Sequence, residues 1–318
     1  MKALVLGASG HLGNAVVREL LSQGWNVTAA WHRGTSPANL AGLDIRPVVG
    51  DDRVVGQLAA WIAGHDLVVD AAAPYALQTL TRGREPRAAH AAERTSQVLA
   101  AVQAADARLI FFSSFVTQTR PRQAVLRRFH PYFSLKRQLE EQVVSAARQG
   151  LRAVVVNPTL CLGPWDRKPE ELAFVPQLLR GDLPLRFRHL VNVIDVRDAA
   201  RVALAALDQE RYGEPLLVAG HNVQVEELFA WICEAAGVAL PRFSMRPREA
   251  LLPALGLESL AVLWGRSYTP FLGVLLLAEL GRCDGTALRE LGVQPTSLSL
   301  TVRDTVAWYR SSNVAKNL

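Results

Sequence analysis

Short apolar runs alternate with segments of helical spacing from residue 2 to residue 158, and that alternation restricts the fold more than any other feature. "KALVLGA" (2–8) has the pattern of a buried strand ending at glycine, and "NAVVRELLSQG" (14–24) repeats apolar residues at helical intervals before stopping at Gly24. Strands are expected at 26–31, 44–49, 66–72, 107–114 and 151–158, with helices at 55–64, 91–105 and 131–150. Strands and helices that alternate through short connections build a parallel sheet covered on both faces. Ligands of such a sheet bind beyond the carboxyl ends of its strands.

The first of those ends carries "GASGHLG", with Gly7, Gly10 and Gly13 between the first strand and the first helix. Glycine permits the tight turn, lets backbone approach a pyrophosphate, and packs helix against strand, while the helix N-terminus supplies amide donors. On the first strand–helix junction of an alternating chain, this pattern points to a bound dinucleotide and a Rossmann-type doubly wound α/β sheet.

A second signal is "PYFSLK" (131–136), which sets Tyr132 and Lys136 four residues apart after a proline. The chain holds 5 Tyr and 4 Lys in 318 residues. Random placement would give a Tyr-x-x-x-Lys pair in roughly 6% of such chains. On a helix the two side chains share a face. A free tyrosine has a pKa near 10, and a neighbouring ammonium favours its phenolate, so the pair suits proton transfer.

Taken together, these motifs resemble those of the extended short-chain dehydrogenase/reductase superfamily, nearest its dihydroflavonol-reductase-like and hopanoid-associated sugar epimerase branch. The resemblance rests on Gly7-x-x-Gly10-x-x-Gly13, "VGDD" (49–52), "DAAA" (70–73), "FFSS" (111–114), Tyr132-x-x-x-Lys136, "NPTLCLGP" (157–164) and the closing "ALRELGVQPTSLSLTVRDTVAWYR". It implies Tyr132 as proton donor or acceptor, Lys136 as the group that lowers the Tyr132 pKa and bonds the nicotinamide ribose, and Ser114 as a hydrogen-bond donor to the reacting oxygen. It also implies a cofactor site from Gly7, Ser9, Gly10, His11, Leu12 and Gly13 in the turn, and His32 and Arg33 after the second strand. Asp51 (toward adenine), Asp52, Ala71, Ala72, Ala73, Ser113, Asn157 and Pro158 complete that site. Departures from the pattern concern the substrate: only 17 residues separate Ser114 from Tyr132, His90 or a neighbour stands where relatives often carry Asn, and Asp195 where they often carry His. His90, His130 and His189 are candidate substrate contacts, with solvated surface histidines as the plainer reading.

Cofactor choice is read at the end of the second strand, where NAD-selective relatives place an acid for the ribose 2′-hydroxyl. Here "AAWHRGTS" (29–36) holds no acid and offers His32, Arg33, Thr35 and Ser36. An arginine fork suits a 2′-phosphate, so NADP(H) is expected over NAD(H).

The domain reading assigns 1–162 to the dinucleotide-binding domain, with 190–220 returning to it through a strand at 213–220. A smaller, mostly helical C-terminal substrate lobe then comprises 163–189 and 221–300, followed by a helix and tail at 301–318. Trp165, Trp264, Tyr268, Phe271 and the Leu-rich stretch 251–280 are candidates for an apolar cleft. Arg186 and Arg188 could meet the pyrophosphate of a nucleotide-sugar.

The net charge of +6 comes from 31 scattered Arg and 4 Lys, with no basic run, so nucleic acid is excluded as a partner. Cys161, Cys233 and Cys283 lack metal-ligand spacing and read as thiols of a reducing compartment. No signal peptide or bilayer-length apolar run is visible, so a cytoplasmic protein without an integral membrane segment is expected. Three functions compete: an NADPH-dependent reductase of an apolar carbonyl compound, a nucleotide-sugar epimerase, and a non-catalytic dinucleotide-binding sensor. A 4,6-dehydratase is disfavoured, because "SSFVTQTRPRQ" (113–123) holds no carboxylate. The reading admits a homodimer without requiring one.

Overall fold

A computed structural model describes residues 1–52, 54, 56–72, 84–118, 131–167, 174–264, 273–274, 277 and 281–312. The first half runs β1 (Lys2–Leu6), α1 (His11–Ser22), β2 (Asn26–His32), β3 (Arg46–Gly50), α2 (Gln57–Ile62), β4 (Leu67–Asp70), α3 (Arg84–Ala104), β5 (Arg108–Phe112), α4 (Pro131–Arg148), β6 (Ala153–Pro158). Next come β7 (Leu160–Leu162), α5 (Phe174–Arg180), β8 (Leu185–Phe187), β9 (Leu190–Asp195), α6 (Val196–Asp208) and β10 (Pro215–Val218). Seven strands form one sheet in the order β10-β6-β5-β4-β1-β2-β3, parallel at every pairing. The order reverses between β1 and β4, and a doubly wound sheet opens its ligand crevice at that point.

Strand composition explains why both faces are covered. Side chains alternate faces along a strand. Ala3 and Val5 join one core cluster with α1 and α6, whereas Leu4 and Leu6 join another with α2, α3 and α4. Ile110 and Phe112 against Leu109 and Phe111 divide in the same way. Every residue of β4 and β6 is buried, as continuous apolar runs in a parallel sheet require.

Element ends differ from the sequence pattern where composition carries no period. α1 begins at His11, three residues before the expected start, because its glycine-containing first turn shows no apolar repeat. It ends where Gly24 takes φ +77°, a left-handed closing position that favours glycine. α3 begins at Arg84, not 91, since "REPRAAH" has no apolar face to reveal a helix.

The remaining elements are β11 (His221–Gln224), α7 (Val225–Ala236), β12 (Phe243–Met245), α8 (Pro247–Leu263), α9 (Ala287–Glu290) and α10 (Leu298–Ser311). β9 lies outside the large sheet. The edge beside β6 is taken by β10, and β9 pairs instead with β7 and β11 in a three-stranded sheet. β9 ends at Asp195, which caps α6 by accepting the Arg197 backbone N–H at 2.8 Å and also accepts the Thr301 hydroxyl of α10 at 2.6 Å. Burial works to raise the Asp195 pKa, but hydrogen bonds from Arg197 and Thr301 hold it below the ordinary carboxylate value. The Asp195 position singled out in the sequence is therefore a clasp between α6 and α10.

Trp165, expected in an apolar cleft, lies instead beneath the Arg18 guanidinium, 4.4 Å from ring centroid to Cζ, with its carbonyl bonded by Asn39. Trp264 is exposed, and Tyr268 and Phe271 fall outside the described residues. All three cysteines are buried. No helix among the described residues is long and apolar enough to cross a membrane.

Candidate active site

The glycine turn sits at the crevice. Gly7 has φ +75°, and a Cβ there would lie 2.8 Å from the Ala72 nitrogen. A Cβ on Gly13 would approach the Gly7 carbonyl oxygen to 2.2 Å. The end of β1, the start of α1 and the Ala71–Ala72 segment after β4 therefore meet at backbone distance; Ala73 lies outside the described residues. α1 has no side-chain cap at Gly10, and a helix N-terminus attracts anions. Ser9 is buried, with its Oγ 3.4 Å from Thr35 Oγ1. The His11 side chain turns inward, its Nδ1 3.7 Å from Asp166 Oδ1, and Leu12 packs on the core. At those two positions only the backbone is placed to serve the turn.

Beyond β2, the Gly34 N–H donates to His32 Nδ1 at 3.2 Å, which leaves Nε2 to carry the proton of the neutral ring. That nitrogen is 3.7 Å from Asp51 Oδ2, so a carboxylate absent from residues 29–36 reaches the same corner from β3. Arg33 is exposed and bonded through its backbone N–H to Gly50. Asp52 does not face the same way: its Oδ2 accepts Arg94 Nε at 2.5 Å.

Tyr132 and Lys136 are both buried on α4, at 5% and 4% exposure. Pro131 opens the helix, a position where its fixed φ and missing N–H do no harm. Burial lowers the Lys136 pKa to about 8, while the charges of Asp70 and Glu140 act the other way. Ser113 and Ser114 follow β5, and both are buried. The Ser113 N–H donates to Val156 at 2.8 Å, but its hydroxyl has no partner among the described residues. Asn157 donates through Nδ2 to the Ser114 carbonyl at 3.0 Å and to Glu140 Oε2 at 2.6 Å, bracing the serine turn against α4. Pro158 closes β6, in register with Val218.

Three acidic or basic residues of this site were not singled out in the sequence. Glu140 follows Lys136 by four residues and accepts from Asn157, Thr117 and Gln118. The same i, i+4 rule that pairs Tyr132 with Lys136 could have found it. Asp70 ends an otherwise apolar strand, a visible signal. Arg94 carries none, being one of 31 arginines on a helix with a weak apolar face.

A backbone cradle without room for Cβ atoms, an uncapped helix start and an unpartnered buried Ser113 hydroxyl fit a dinucleotide in this crevice. The comparisons with known proteins agree. Residues 3–220 match the model of the "NAD dependent epimerase/dehydratase family". The chain is 30% identical to sterol demethylase protein B of Methylococcus capsulatus, covering 98% of each. It is 29% identical to the 4-hydroxy-2-methyl-3-oxo-4-farnesyl-3,4-dihydroquinoline-1-oxide ketoreductase of Stigmatella aurantiaca, over 75% of this chain and 74% of that one. The crystal structure of gox2253 superposes with a TM-score of 0.78 at 26% identity, covering 97% of each chain. The chain belongs to the NAD-dependent epimerase/dehydratase family, as an NAD(P)-dependent enzyme of the extended short-chain dehydrogenase/reductase type.

Proposed function

We propose that this chain is an NADPH-dependent reductase of a carbonyl group on a fairly apolar small molecule. The observation that carries the reading is the setting of Tyr132, whose ring belongs to a buried apolar cluster with Phe115, Val116, Phe133, Leu162 and Phe229. A polyhydroxylated substrate reaching that phenol would leave hydroxyls unpaired against apolar walls, whereas an apolar one would not. The relatives named for a sterol and for a farnesylated ketone support the same substrate class.

In this reading the nicotinamide, when bound, supplies the hydride. The chain's own residues handle the proton. Tyr132 Oη gives its proton to the carbonyl oxygen as charge develops there, and the Lys136 ammonium lowers the phenol's pKa so that the transfer is less uphill. Ser114 Oγ donates a hydrogen bond to the same oxygen. Asn157 and Glu140 hold the Ser114 turn and α4 in one frame.

The epimerase reading draws less support from the lobe. Arg186, a candidate for a sugar-nucleotide pyrophosphate, is engaged by Glu226 at 3.2 Å and by the Pro241 carbonyl. Cofactor choice rests on Arg33, exposed beside His32 where a 2′-phosphate would sit, against the opposing charge of Asp51. Titration with NADPH and NADH tests it: NADPH should bind more tightly and Arg33→Ala should narrow the difference. A clear NADH preference contradicts the assignment.

A further inference from the structure

Arg94 stands outside every role given so far, yet it is one of the most buried charges in the protein, at 5% exposure. Its Nη1 and Nη2 donate to Asp70 Oδ2 and Oδ1 at 2.7 and 3.1 Å, and its Nε donates to Asp52. One planar guanidinium thus joins α3 to the carboxyl ends of β3 and β4. Asp70 Oδ1 also accepts the Ala72 N–H at 3.1 Å, and Ala72 is the backbone against which Gly7 packs. Arg94, Asp70, Ala72 and Phe111 line one small cavity beneath the crevice.

We infer that Arg94 is a positioning residue of this site: it clamps Asp70 from below, fixing the Ala72 wall of the dinucleotide crevice and leaving the Lys136 ammonium to Tyr132. This rests on the role proposed for Lys136. Among the described residues, the charges that bear on Lys136 are Asp70 from β4 and Glu140 from its own helix, with Tyr132 four residues before it and Arg94 of α3 acting through Asp70; Asn157 and Thr117 beside Glu140 are neutral. Glu140 is held by three donors, and Asp70 by Arg94 and one amide. Without Arg94 the buried Asp70 carboxylate would keep only the Ala72 amide, and its charge would act more strongly on the Lys136 ammonium. Asp52 would lose its partner as well.

The chain has only four lysines, Lys2, Lys136, Lys168 and Lys316, so titration of 13Cε-labelled lysine by NMR resolves Lys136 once Lys136→Arg assigns its signal. Arg94→Met should raise the Lys136 midpoint by about one pH unit or more, the usual effect of one nearby uncompensated charge. Asp70→Asn should lower it below the wild-type value, and this variant keeps Arg94 paired with Asp52 if the first fails to fold. Dinucleotide affinity should fall in both variants as the Ala72 wall loosens. A Lys136 midpoint unchanged in the folded variants, with only the melting temperature lowered, overturns the inference and leaves Arg94 a structural clamp. The NMR titration needs no substrate, so absence of reductase activity would count against the proposed function and not against the role of Arg94.

Discussion

Lys136 is the residue on which the chemistry and the stability of the site collide. Burial lowers its pKa from 10.5 to about 8 despite the charges of Asp70 and Glu140. The unfolded chain therefore holds a proton at this lysine between about pH 8 and about pH 10.4 that the folded chain has released. The sign follows: stability associated with Lys136 is present above the unfolded pKa and lost as pH falls through about 8. Equilibrium unfolding of the apoprotein should show stability rising by up to about 3 kcal/mol across that window, and Lys136→Met should remove the rise. A flat profile in the wild type would contradict the buried ammonium. Tyr132→Phe removes only the hydroxyl. It should keep the fold and dinucleotide binding while lowering turnover at least about 10²-fold, the lower end for general acid–base catalysis. The Tyr132–Lys136 couple was legible in the sequence because helical spacing alone puts four-apart residues on one face. The Asp70–Arg94 pair was not, because its members lie 24 positions apart in the chain and only the packing of α3 on the sheet joins them.

At the scale of elements, the turn between β1 and α1 does the most. Its glycines are not equivalent. A Cβ on Gly13 would meet the Gly7 carbonyl at 2.2 Å, whereas one on Gly10 would stand 3.2 Å from the same oxygen. Gly13→Ala should push α1 off the crevice and weaken dinucleotide binding by about tenfold or more, equivalent to about 1.4 kcal/mol. Gly10→Ala should cost less than Gly13→Ala, because its contact with the Gly7 carbonyl is tight but does not overlap it. Calorimetric titration of the two variants compares them directly, and equal losses would show that the amides, not the packing of α1, set the affinity. Strand and helix positions in the large sheet were readable from periodicity, because a doubly covered parallel sheet needs continuous apolar strands. The early start of α3 and the departure of β9 were not. The first has no apolar period, and the second joins β9 to β7 and β11 across stretches of chain that no local pattern links.

Across the whole molecule, the sheet supplies the cofactor crevice and the later elements supply the apolar surroundings of Tyr132. Phe229 on α7, with Val175 and Leu178 on α5, belongs to the same buried cluster as Tyr132, so parts of the chain far apart in sequence build one core around that helix start. The Asp195 clasp, extended by Arg197 to Asp304 at 2.7 Å, fixes α10 beside those elements. Residues 251–280, expected to line an apolar cleft, lie partly outside the described residues, and α8 within them exposes Leu252, Leu257, Leu260 and Leu263. On the proposed function, this assembly reduces an apolar carbonyl at the expense of NADPH. The most direct measurement is the stoichiometry of NADPH oxidised to alcohol formed, with the freshly purified protein and a panel of apolar ketones and aldehydes. The protein should purify largely free of NAD and consume one NADPH per alcohol. Protein that instead carries stoichiometric NAD and exchanges sugar-nucleotide epimers, with no net cofactor oxidation, would contradict it.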